Sequence, residues 1–291
     1  NKLAQTKIGN VNEYLNFDFH DFIDQKQKKD IEIFKVENTT QTKIAENILS
    51  VFNKNLNDCL SIIIHGSQAD GNVTFYSDID ISIFINASLL RNLNDVKEIK
   101  FHIDDINRKI NLYDPTTHHT SFLNLEIDLN CYPESFMPIN VFQKGLFSSS
   151  KDKLVFLNTR FDLDLKIENF YNLISKILQI TNKLKVESQY ELKELISSYF
   201  MLLILEYEII TSEFLDKRTI FTKKIYEYRK VTELAAFKEA SEIREGWPNL
   251  ELDKIYTSNN FLKLILEDIE RMFSNIQNRE ILEKISDLYL K

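Results

Sequence analysis

Asp78 and Asp80 stand two residues apart in the stretch "SDIDISIF", set among apolar side chains. On an extended strand, residues i and i+2 leave the same face, so both carboxylates occupy one small region. Ionised together without a counter-charge they would repel, and one would have to stay protonated. A divalent cation between them removes that conflict. Mg2+ accepts a few carboxylates and leaves its other positions to water and substrate phosphates. Upstream, before a spacer covering residues 68–77, Gly66-Ser67 closes the apolar run "SIIIH". Glycine lets the backbone approach a ligand closely, and free N–H groups at such a turn can cradle a phosphate. Ser67 adds a hydroxyl donor. These parts predict a nucleoside triphosphate, its phosphates on Gly66 and Ser67 and its metal on Asp78 and Asp80. In a two-ion site one Mg2+ activates an attacking hydroxyl and the other steadies the leaving phosphate.

A third carboxylate could complete the cluster. In "FLNLEIDLNCY" the side chains alternate, with Leu123, Leu125, Ile127 and Leu129 on one side. Asn124, Glu126, Asp128 and Asn130 take the other, which predicts a strand over 122–131. Glu126 and Asp128 then share a face, and either could ligate a metal or take a proton as general base. Asp70-Gly71 reads as a turn without chemistry. His118-His119 reads as a loop pair at the strand entrance, since adjacent histidines on an extended segment point apart. His65 reads as a satisfied histidine in or near the core.

Supporting elements follow from periodicity. Strands are predicted at 61–64 and 79–85. Ile44, Ile48, Val51 and Phe52 keep helical spacing after Thr40, a potential N-cap. Val96, Ile99, Ile103, Ile106 and Ile110 recur at steps of three and four, which predicts an amphipathic helix over 94–112. Asp114-Pro115 stops it. Beyond "LFSSSKD", at 146–152, the pattern is almost wholly helical, with helices expected at 164–184, 188–212, 220–228, 231–245, 258–275 and 278–290. Residues 1–39 form an N-terminal arm.

Composition agrees. The chain has 291 residues, 43% of them apolar, with only 5 Gly and 4 Pro, which favours long helices over many short strands. No run approaches ~18 uncharged apolar residues, so no membrane span is expected. Two cysteines point to a reducing, cytoplasmic setting without a disulfide framework. The formal charge of −8 disfavours a general nucleic-acid binder and permits a nucleotide with its metal, or a cationic substrate. The basic run Lys217, Arg218, Lys223, Lys224, Arg229 and Lys230 is diluted by acidic residues, and a solvated helix face is its default reading.

The pattern "IIIHGSQADGNVTFYSDIDISIF" resembles the polymerase-β-like nucleotidyltransferase superfamily. That signature joins an apolar strand, Gly-Ser, a spacer near ten residues and Asp-apolar-Asp. The helical half, through "LLILEYEIITSEFLDKRTIFTKKIYEYRKVTELAAFKEASEIREG", is similar to the C-terminal domain of bacterial aminoglycoside nucleotidyltransferases. The two resemblances span roughly 40–275. They imply an α+β protein: residues 1–150 form a nucleotidyltransferase α/β domain with a small mixed sheet, and residues 151–291 an all-helical domain. They further imply that Lys223, or the adjacent Lys224, meets the triphosphate. The aminoglycoside branch would select Glu126 as the third carboxylate, and the glutamine-synthetase adenylyltransferase relatives would select Asp128.

The reaction so implied moves a nucleoside monophosphate, AMP from ATP, onto a hydroxyl of a small molecule such as an aminoglycoside, releasing pyrophosphate. It would serve antibiotic resistance. Rival readings are transfer to RNA or to a protein hydroxyl, and a non-catalytic nucleotide-binding module. An RNase activity of the helical kind is set aside, because it needs Arg followed shortly by His and no histidine follows His119.

Overall fold

The computed structural model describes residues 28–34, 43–56, 60–70, 73–117, 119–134, 137–160, 163–183, 186–211, 225–230, 233–247 and 259–289. In chain order, β1 (Lys28–Phe34) and α1 (Lys43–Asn55) precede β2 (Leu60–His65), the short α2 (Ser67–Asp70) and β3 (Asp80–Ile85). Then come α3 (Leu93–Tyr113), β4 (Phe122–Leu125), β5 (Tyr132–Pro133), α4 (Ile139–Gln143), β6 (Leu146–Ser148) and β7 (Lys153–Arg160). Helices follow: α5 (Leu163–Thr181), α6 (Gln189–Thr211), α7 (Ile225–Tyr228), α8 (Ala235–Glu245) and α9 (Asn259–Tyr289). The protein is α+β, as expected, with small mixed sheets first and helices after them.

One sheet runs β4-β3-β2-β6. β2 pairs antiparallel with β3 and β6, while β3 pairs parallel with β4. All of β2 is buried, which explains its unbroken apolar run: a strand covered on both faces has no polar alternation. Ile62, Ile64, Ile81, Ile83 and Ile85 pack under α1 and α3. The predicted stripe of α3 lands there, with Ile99, Ile103, Ile106 and Ile110 buried. Asn92 starts that helix, its Oδ1 accepting the N–H of Asn94 at 2.9 Å. On the other face, Ile63 and Phe84 meet Phe142, Phe156 and Tyr132, filling the space toward a second sheet of order β1-β7-β5.

That second sheet departs from expectation. Part of the predicted arm is strand β1, antiparallel to β7, and the rest of residues 1–39 lies outside the described residues. β7 continues the α/β half past "LFSSSKD", so the helices begin at Leu163. The predicted strand over 122–131 stops at Leu125. Its partner β3 ends at Ile85, the residue paired with Leu125, and the chain then turns away into a 3-10 helix at Ala87–Arg91. With nothing to pair against, Glu126–Asn130 coils into a 3-10 turn. The predicted break near 276–277 is absent, because Met272 and Ile276 hold α9 on the helical core.

In the helical half, α6 is buried along almost its whole length. A polar cluster sits inside. Arg229 donates from Nη1 to Asp268 at 2.6 and 2.8 Å and from Nη2 to Glu206. Tyr199 and Arg271 donate to Asp268, and Asn275 donates to Glu206. Burial works against Arg229's charge, but the two carboxylates overcome it and keep the guanidinium ionised. Replacing Arg229 by Met would leave Glu206 buried without its counter-charge and Asp268 with Arg271 alone. The expected loss is ~3–5 kcal/mol of unfolding free energy, read by urea denaturation.

Candidate active site

Asp80 opens β3 opposite His65, and Asp78 precedes it by two residues. Asp80 shares a face with Ser82 and Phe84, the face turned away from α1 and α3. The two aspartate side chains are 21% and 29% exposed. A ligand can therefore reach them, while partial burial keeps their field poorly screened.

Gly66 makes the tight join after β2. Its φ is +70°, and a Cβ there would stand 2.5 Å from Asp80 Oδ2. The turn thus needs glycine twice, for a left-handed backbone and for the close pass of a carboxylate. Ser67 begins α2 directly behind it.

His119 completes the cluster. Its Nε2 lies 3.2 Å from Asp78 Oδ2 and 3.2 Å from Asp80 Oδ1. Burial alone would lower its pKa, but hydrogen bonds and charge from both aspartates outweigh that and raise it to about 10. The ring stacks on Phe122 at 5.3 Å, and Nδ1 lies 3.3 Å from the Thr120 carbonyl. His65 behaves as read from sequence. It is buried, with Nε2 3.1 Å from Ser82 Oγ, and desolvation lowers its pKa against the pull of Asp80.

Neither predicted third carboxylate belongs to this group. Among the described residues, the group of three ligand-type side chains is Asp78, Asp80 and His119, with donor atoms all within 4.8 Å of one another. Glu126 accepts from Lys151 Nζ at 2.5 Å. Asp128 Oδ2 accepts the Leu125 N–H at 3.0 Å, which caps the 3-10 turn. Losing the strand's period of two removed the shared face on which both assignments rested. Lys223 and Lys224 lie outside the described residues. Sequence reasoning passed over His119 because it weighed the histidine pair alone. The missing signal was parallel pairing of β4 with β3, which brings the start of one strand beside the start of the other.

The helical half holds the loop that delivers Asp78. Thr74 and Ser77 close a turn, Ser77 N–H donating to the Thr74 carbonyl at 3.0 Å. Between them Tyr76 inserts into the helical core. Its hydroxyl donates to the Lys193 carbonyl at 3.1 Å and lies 2.9 Å from Ser197 Oγ, both on α6. Trp247 packs edge-on at 4.9 Å, and burial raises the phenol pKa far above its ordinary value. A second tie runs from the buried Lys193 to Asp114, at the end of α3.

Residues 46–130 match the family model described as Polymerase beta, Nucleotidyltransferase. The matched stretch holds Gly66, Ser67, Asp78, Asp80 and His119. The match supports placement in the polymerase-β-like superfamily and a nucleotidyltransferase activity. No curated protein matches the chain. No helix among the described residues is long and apolar enough to cross a membrane.

Such domains generally use a divalent metal, and the donor set fits one. Donors ~2.1 Å from a shared ion stand ~3 Å apart when adjacent around it, close to the 3.2 Å separations found.

Gly66→Ala should lose at least ~1 kcal/mol of stability from the left-handed backbone alone. It should also push the Asp80 carboxylate aside, so thermal unfolding and cation binding should weaken together. In protein stripped of metal, the raised pKa of His119 makes its pairing a pH-dependent stabiliser. The contribution is full below its ordinary 6.5 and is lost as pH rises through about 10. Denaturation in chelator across that range should show the decline, and His119→Gln should flatten it.

Proposed function

We propose that the protein transfers a nucleoside monophosphate from a nucleoside triphosphate, ATP in the first instance, to a hydroxyl of a small molecule. The observation that carries this reading is the convergence of Asp78 and Asp80 beside the glycine turn at Gly66, inside the stretch that matches the nucleotidyltransferase model. Asp78 and Asp80 would hold the divalent ion, Mg2+ being the sequence-based expectation. When bound, it would neutralise phosphate charge and polarise the reacting oxygens. Gly66 and Ser67 would receive the phosphates, with Lys223 or Lys224 as a further phosphate contact. The acceptor oxygen bonds to the α-phosphorus as the bond to pyrophosphate breaks, and the hydroxyl proton passes to solvent. Positioning and charge neutralisation supply most of the catalysis in such transfers.

A cavity of about 710 Å³ adjoins the loop before Asp78, between Thr74 and Phe75 on one side and α8 on the other. Phe75, Tyr226 and Phe237 give it flat apolar walls, while Glu242 and Glu245 are balanced by Lys238 and Arg244 on the same lining. That lining, apolar with charges of both signs, suits a polar small molecule, and an aminoglycoside acceptor rests on the resemblance of the helical half.

Labelled ATP with Mg2+ or Mn2+ should be incubated with a panel of aminoglycosides, tRNA and cell lysate, and the label followed. Label on a small molecule supports the proposal. Label on RNA or protein would redirect it to those acceptors, and binding without transfer would leave a nucleotide-binding module. Asp80→Asn should reduce transfer at least ~1,000-fold, from loss of several kcal/mol of charge stabilisation, with only the modest fall in unfolding temperature expected from a weakened tie to His119. A large fall in that temperature would instead assign Asp80 a structural role.

A further inference from the structure

We infer that His119 is the third protein ligand of the cation, and that the resulting Asp-Asp-His set favours a first-row transition ion over Mg2+. The inference rests on the reading of Asp78 and Asp80 as cation ligands. It goes beyond that reading in naming the third donor and the class of ion.

Three observations carry it. His119 Nε2 is equidistant from one oxygen of each aspartate, at 3.2 Å, the spacing of adjacent donors around one ion. The opposite ring nitrogen, Nδ1, lies 3.3 Å from the Thr120 carbonyl. A carbonyl can only accept, so Nδ1 carries a hydrogen there, and Nε2, which in metal-free protein holds a proton shared with the two aspartates, must release it to offer its lone pair when an ion binds. Metal-bound histidines are commonly oriented in this way. The ring is also fixed in place by its stack on Phe122, which pairs with Ser82 two residues along from Asp80. Imidazole and both carboxylates are thus borne by one pair of parallel strands and the segments that lead into them.

The nitrogen sets the ion class. Mg2+ is hard and takes oxygen ligands, so replacing a third carboxylate by imidazole removes a good ligand and adds a poor one. First-row transition ions accept imidazole and carboxylate together. The two acidic residues that could have restored an all-oxygen set are engaged elsewhere, Glu126 with Lys151 and Asp128 with the Leu125 backbone.

The test uses the full chain, stripped of metal and titrated with Mn2+ alone, without nucleotide. Loss of the free-ion electron paramagnetic resonance signal reports binding, and pulsed measurements report any directly bound nitrogen. Mn2+ should bind, Mg2+ should displace it only in large excess, and the bound ion should show 14N coupling from imidazole. His119→Ala should abolish the coupling and weaken Mn2+ binding at least ~10-fold, with Mg2+ binding little changed. His119→Asp should shift preference back toward Mg2+. Mn2+ binding that needs Asp80 but shows no 14N coupling would overturn the role of His119 and leave the cation reading of the aspartates intact. No binding of either ion would sink both. Because the nitrogen signal is read on the unaltered protein, the test holds even where a variant fails to fold.

Discussion

Two carboxylates held at the entrance of one strand need positive charge beside them, and much of the surrounding structure answers that need. Gly66 gives up a side chain so that the Asp80 carboxylate can pass within 2.5 Å of where a Cβ would be. His119 brings an imidazole to both oxygens from the segment before the neighbouring strand. The strands beneath are buried on both faces, so the aspartates cannot relax by sliding apart without disturbing a packed core.

The helices belong to the same arrangement. α6 runs through the centre of the helical core and reaches the site twice, through Tyr76 and through Asp114. Its far end is secured by the buried network of Arg229, Glu206 and Asp268. The charged groups inside this half are matched to one another, in keeping with the high cost of leaving any one of them alone. A strut of this kind turns helical packing into placement of an aspartate.

Much of this was legible in the residues. The stripe on α3, the apolar run of β2 and the Gly-Ser to Asp-x-Asp spacing reflect local rules of period and turn chemistry, and each leads to the observed element. What escaped reading was set by pairing. Leu123 to Leu129 alternate as a strand should, yet a strand persists only where a neighbour runs alongside, and β3 ends first. β1 and β7 join residues more than a hundred positions apart, and nothing local marks either as the other's partner. His119 shows no ligand spacing because its partners lie on another strand. A third group beside Asp78 and Asp80 was sought among acids two residues apart, and the side chain that lies against both is an imidazole upstream.

Tyr76 alters what the stretch between the glycine turn and the aspartates can be. A loop that merely joined two strands could lengthen or shorten anywhere. Here the tail of the loop is pinned to a helix, and only Ser77 separates the pin from Asp78. An extra residue upstream of Thr74 would leave that placement intact, whereas one inserted after Tyr76 would swing both acids out of register with the imidazole. Divergence in loop length among chains built on this plan should therefore collect ahead of the anchored aromatic, and the short run behind it should stay constant.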